Sequence, residues 1–192
     1  MRRTANVTFC LLTCIVVAVT TTVAQQSPEP SPSLAPPHDP DHADKAATWC
    51  AVHVGRRELS HAISDCNYAI AANPNNAIAH ANRGTLYLTY GDSTQALADY
   101  ERALVLAPND ANNHYNRGVA RGLLGQRDDA IADYTEAIRL NPRLAIAHHN
   151  RGREYEDGGN RAKAVADYER ALDIDPKLEP STRSLKRLRG DL

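Results

Sequence analysis

Histidines and carboxylates are the residues of this chain that could carry chemistry. His80, His114 and His148 stand 34 residues apart, with His149 beside the last. Imidazole is a common metal ligand, so metal or small-molecule binding is one reading of the column. A zinc ion at ~2.0–2.1 Å from each nitrogen needs its ligands to converge on a point, and side chains a whole period apart do not. His38-x-Asp-x-Asp-His42 has closer ligand spacing, but within a proline-rich stretch. Glu154, Glu156 and Asp157 cluster on one helical segment, where a solvated face accounts for them. G-x-S-x-G, His-Glu-x-x-His and the phosphate-binding loop are all missing. The expectation is a protein that is no enzyme and carries no cofactor.

Two further columns are polar. Asn82, Asn116 and Asn150 recur at the same step, and so do Arg83, Arg117 and Arg151. A side-chain amide offers a donor and an acceptor together. The arginines run opposite the aspartates Asp65, Asp99, Asp133 and Asp167. Each arginine is expected to pair with the aspartate of its own unit or of the one before. Such a half-buried pair fixes register more than it adds stability. The alternative is an arginine stripe that clamps carboxylates of a ligand.

The elements that position these columns follow from the same period. Pro74, Pro108, Pro142 and Pro176 repeat every 34 residues, as do Gly84, Gly118 and Gly152; Tyr100, Tyr134 and Tyr168; and Ala69, Ala103, Ala137 and Ala171. A fixed period of this length means stacked units, not one closed core. Between Ala77 and Asp110 the apolar spacing is helical with a central break. Ile78, Ala81, Leu86, Leu88 and Tyr90 mark a first helix, and Gly91-Asp92 interrupts it. Asp92 with Gln95 can form a capping box. Ala96, Leu97, Tyr100, Leu104 and Leu106 mark a second helix that Pro108 stops.

This pattern resembles the tetratricopeptide repeat family. The family places a small residue at position 8, aromatics at 11 and 24, alanines at 20 and 27 and proline at 32. Those positions are here Gly84, Tyr87, Tyr100, Ala96, Ala103 and Pro108. The next two units supply Gly118, Arg121, Tyr134, Ala130, Ala137 and Pro142, then Gly152, Tyr155, Tyr168, Ala164, Ala171 and Pro176. Arg121 departs from the aromatic at 11. The resemblance implies an all-α, right-handed superhelix of helix-turn-helix hairpins. Its units are residues 77–110, 111–144 and 145–178, after a degenerate unit at 43–76 and before a capping helix and tail at 179–192. In the degenerate unit Cys50 replaces the glycine, His53 the first aromatic and Cys66 the second.

In this family the first helix of each unit lines the concave face. The resemblance therefore implies a groove with candidates Asn82, Thr85, Tyr115, Asn116, Val119, His149, Asn150 and Arg153. An asparagine ladder at this position holds peptide backbone in some superhelical members; the plainer alternative is hydrogen bonding between neighbouring helices. The lysines of carboxylate-clamping members are absent, since Ile78, Ala81, Asn112, Tyr115, Ile146 and His149 stand there. The groove floor turns from apolar in the first two units to charged in the third.

The ends of the chain suggest its address. Met1-Arg2-Arg3, an uncharged apolar run from Val7 to Val19 and Thr22-Val23-Ala24 read as a secretory signal over residues 1–24. The run is short for a membrane span, so an uncleaved inner-membrane anchor facing the periplasm is the alternative to a periplasmic or secreted protein. Residues 25–42 hold six of the eleven prolines and form an extended linker. The formal net charge is -1, with no overall basic face for nucleic acid. Lys177, Arg183, Lys186, Arg187 and Arg189 make only the last helix basic. Cys10 and Cys14 leave with a cleaved signal. Cys50 and Cys66 then remain on the two helices of one unit, at positions 8 and 24, in an oxidising compartment. A disulfide between them is expected, with two buried free thiols as the alternative. The expected function is that of an exported bacterial scaffold or adaptor binding a peptide segment or partner protein. A structural or oligomerising envelope subunit is the alternative.

Overall fold

The computed structural model describes Cys50 and residues 59–190. The expected signal segment, the linker with His38 and His42, and most of the first helix of the degenerate unit lie outside the described residues. Among the described residues there are eight helices and no strand. They are α1 (Leu59–Ala72), α2 (Ala77–Tyr90), α3 (Ser93–Leu106), α4 (Ala111–Leu123), α5 (Arg127–Leu140), α6 (Ala145–Asp157), α7 (Arg161–Ile174) and α8 (Glu179–Arg189). Each packs on the next in chain order. The pairs α2–α3, α4–α5 and α6–α7 are hairpins, α1 precedes them and α8 closes the stack.

Local sequence sets the helix ends. The side chains of Asn76, Asp92, Asp110 and Asn160 accept hydrogen bonds from the backbone three residues on, at 3.0, 3.1, 2.9 and 3.2 Å. These bonds satisfy amides that the first turn leaves open. The turns between the helices of each hairpin use Gly91, Gly125 and Gly159, with φ of 83°, 75° and 78°. That left-handed backbone favours glycine. Proline then ends each second helix because it cannot donate to the preceding turn.

Packing within a hairpin rests on a small residue facing an aromatic. A Cβ on Gly84, Gly118 or Gly152 would lie 3.1, 2.8 or 3.0 Å from the ring of Tyr100, Tyr134 or Tyr168. The three tyrosines are fully buried, as are the alanines at positions 20 and 27 of each unit. The first hairpin uses sulfur at the same two positions. Cys50 Sγ and Cys66 Sγ are 1.98 Å apart, with their Cα atoms 5.0 Å apart, within disulfide reach. Both are buried in a cluster with Ala62, Leu86 and Ile63. At the other end Leu185 and Leu188 of α8 cover Ala164 and Tyr168. Ile78 and Tyr90 depart from the expected apolar face of α2. Each is about half exposed, because they lie in its terminal turns.

Candidate functional site

The arginine and histidine columns meet on the aspartates. In each unit the first helix carries histidine at position 4 and arginine at position 7, about one turn apart. Both reach the aspartate at position 23 of the same hairpin. Arg83 donates through Nε and Nη2 to Asp99 at 2.8 and 2.7 Å. Arg117 does the same to Asp133 at 2.9 and 2.6 Å, and Arg151 to Asp167 at 2.8 Å twice. These are two-pronged, charge-assisted contacts. The Nδ1 atoms of His80 and His148 stand 3.2 and 3.3 Å from the same carboxylates, and that of His114 stands 3.6 Å away. Hydrogen bonding to Asp99 and Asp167 pushes the Arg83 and Arg151 guanidinium pKa values up, against the effect of burial. Burial pushes the Asp167 carboxyl up, but the bonds from Arg151 and His148 outweigh it and hold it below its usual range.

The clusters also join units. His80 and His114 donate through Nε2 to the carbonyls of Pro74 and Pro108, at 3.2 and 2.9 Å. Arg83 Nη1 donates to Asn67, and Arg151 Nη1 to Thr135, on the preceding second helices at 2.8 and 3.0 Å. Asp65 is therefore not the aspartate that a column arginine takes. Arg83 turns to its own hairpin and reaches Asn67 of the one before, while Asp167 completes the set. In the middle unit Arg121, standing where an aromatic was expected, gives Asp133 a second guanidinium at 2.8 Å.

The inner face belongs to the first helices. Successive first helices α2, α4 and α6 touch one another, whereas successive second helices do not come comparably close. This array bends with the first helices inside. The expected groove residues lie on this row, yet most are covered by it. Asn82, Thr85, Tyr115, Asn116, Val119, His149 and Asn150 are each less than a tenth exposed. The side chain of Arg153 keeps 40% of its exposure. Tyr115 and Val119 belong to the central core, which corrects the expectation that they line an open groove. Packing of the first helices on one another, on their own second helices and on α8 is the reason. Thr85 donates to the Ala81 carbonyl at 3.0 Å and stands 3.0 Å from the Tyr100 hydroxyl. Asn150 donates through Nδ2 to the Tyr115 hydroxyl at 3.0 Å. Among the described residues, Asn82 Nδ2 and Asn116 Oδ1 are buried without a hydrogen-bond partner. Of the expected groove positions, Ile78, half exposed, and Arg153 stay open to solvent.

His149 faces α8. Its Nδ1 is 2.9 Å from Ser181 Oγ, and its ring lies 5.3 Å from that of Tyr168. Burial, and then the charge of Arg153, push its pKa down to about 4, so the imidazole is neutral at neutral pH. Arg187 holds α8 to Glu156 at 2.8 Å, and Tyr168 donates to the same carboxylate at 2.8 Å. Glu154 does not stand on the solvated face expected for it with Glu156 and Asp157. It is buried, beside Gly122 of α4. Comparing positions one and two periods back, where Ala120 and Leu86 stand, is the signal that could have found it.

A tetratricopeptide repeat description matches residues 77–110 and 111–144, and a second of the same name matches 145–178. No curated protein matches the chain by sequence. Among solved structures, the MamA protein superposes with a TM-score of 0.70 at 23% identity, over 78% of this chain and 84% of that one. A tetratricopeptide repeat protein from Parabacteroides merdae ATCC 43184 gives 0.66 at 24%, over 79% of this chain and 61% of that one. Pseudomonas aeruginosa pilF gives 0.71 at 19%, over 79% and 69%. At these identities the likeness concerns the fold.

Proposed function

Because the chain belongs to the tetratricopeptide repeat family, we propose that it is an exported, non-catalytic adaptor whose first-helix face receives an extended segment of a protein partner. Repeats of this kind present surface instead of enclosing a reaction. The observation that carries the reading is the inner row itself. Packing covers most of it, while Ile78 is a large apolar side chain left half exposed near one end and Arg153 carries a half-solvated charge near the other. An apolar contact at one end and a charged one at the other would fix the direction in which a segment lies. The apolar run of Val7 to Val19 and the Cys50–Cys66 bridge support export to an oxidising compartment.

The test places a photo-crosslinking residue at position 78, at position 153, and at the exposed outer position 105 as a control. Adducts to the same partner from 78 and 153, and not from 105, are expected in intact cells. Adducts from 105 alone, or equally from all three, would show that the inner row is not the receiving face. Recovery of the extracytoplasmic protein starting at Gln25 is the expected result for export.

A further inference from the structure

Glu154 is a buried carboxylate in a place that does not need one. It stands at position 10 of the third full unit, where the first has Leu86 and the second Ala120, both fully buried and apolar. Glu154 is only 6% exposed. Among the described residues its one hydrogen bond comes from Arg153, the adjacent residue on the same helix, in an ion pair at 3.3 Å. That is long for a charge-assisted contact, and the other columns show what compensation looks like here: Asp99, Asp133 and Asp167 each hold a two-pronged arginine and a histidine nearby. Burying a carboxylate with so little opposing it is unfavourable.

The space for it is built into the helix before. A Cβ on Gly122 would lie 2.9 Å from Glu154 Oε1 and 3.7 Å from the Tyr134 hydroxyl, so the carboxylate rests against a backbone kept bare for it. One period earlier the same two positions hold Leu88 and Ala120, both in the central core. Large and small have been exchanged across the junction. Packing alone would be served by leucine, and the charge adds nothing to packing. A buried, weakly compensated carboxylate on the row that receives a partner is a group waiting for a cation.

We infer that Glu154, in the slot against Gly122, is the determinant by which the inner face selects a partner segment bearing a basic side chain, a lysine ammonium or an arginine guanidinium. The inference rests on the inner row being the receiving face. Arg153 is the gate: its exposed guanidinium turns to solvent as the incoming cation takes its place on the carboxylate.

Two variants test this, Glu154→Gln and Glu154→Leu. In the free protein Glu154→Leu is expected to melt at the same temperature as wild type or higher. A clear fall would make the carboxylate a structural element and overturn the proposal. Binding is read by nuclear magnetic resonance at the Gly122 amide and the Glu154 side-chain carboxyl. The probes are two acetylated, amidated alanine–serine peptides, identical but for lysine or norleucine at the centre. The lysine peptide is expected to shift both signals and to bind at least about tenfold tighter, the least that a hydrogen bond to a charged group is worth, with the preference gone in Glu154→Gln. Equal binding of the two peptides, a lysine preference that survives Glu154→Gln, or no response at Gly122 would each overturn it. If both peptides bind equally while crosslinks form from 78 and 153, the receiving face stands and the selectivity falls. If Gly122 responds while no such crosslinks form, the face is wrong and the slot is real.

Discussion

Replacing Arg151 by leucine should destabilise the array more than replacing Arg117, although the two occupy the same position of successive units. Arg151 gives Asp167 two hydrogen bonds of 2.8 Å, and the aspartate side chain is only 9% exposed. Leucine in its place leaves Asp167 with His148 at 3.3 Å and little else to offset burial. A half-broken buried pair costs about 3 kcal/mol. Arg117→Leu takes three bonds from Asp133, but Arg121 remains at 2.8 Å, so the loss should be nearer about 1 kcal/mol. Equilibrium urea unfolding followed by circular dichroism measures both. Acid adds a second readout. The Asp167 carboxyl is held below its ordinary value of 3.8. Its contribution is therefore present above that pH and lost as pH falls through the lowered folded value. In Arg151→Leu burial acts with much less opposition, and that part of the acid loss should vanish. A double change, Arg151→Leu with Asp167→Leu, should recover much of the stability. Equal losses for the two arginines, or a loss below about 1 kcal/mol at Arg151, would refute the argument that these pairs are buried enough to matter.

Three other perturbations follow from the packing. Gly118→Ala should lower the melting temperature by the equivalent of about 1–2 kcal/mol, because a Cβ 2.8 Å from the buried Tyr134 ring outweighs the helix propensity gained; an unchanged melt would mean the ring can yield. His149 has its pKa lowered from 6.5 to about 4. Its contribution is whole above 6.5 and declines as pH falls toward 4, by up to about 3 kcal/mol; His149→Gln should flatten that part of the pH–stability curve, and an identical curve would exclude the assignment. Changing both Cys50 and Cys66 to serine should cost about 3 kcal/mol for a closed loop of this size. In the secreted wild type both cysteines should resist alkylation until reduced, and ready labelling without reductant would rule out the bridge.

The sequence by itself determined the parts that depend on a residue's nearest neighbours along the chain. Gly91, Gly125 and Gly159 take a backbone that other residues avoid, the prolines stop the second helices, and Asp92 and Asp110 cap the helices after them. Glycine at position 8 facing tyrosine at 24 is also legible, because a helical hairpin with a short turn brings those two positions together wherever it occurs. What the tertiary structure decided depends on the distance and twist between units, which no local rule sets. Arg83 is almost as near along the chain to Asp65 as to Asp99, so spacing could not choose; the hairpin is tighter than the junction between hairpins, and Asp99 wins. The inner row could be named from the period, but how much of it solvent reaches could not. Tyr115, Val119 and the asparagines are covered because successive first helices close on one another, while Ile78, in the first turn of its helix, and Arg153 stay open. Glu154 read as one of several carboxylates on a solvated face. Only the approach of α6 to Gly122 buries it, since burial is a property of the neighbouring helix and not of the glutamate.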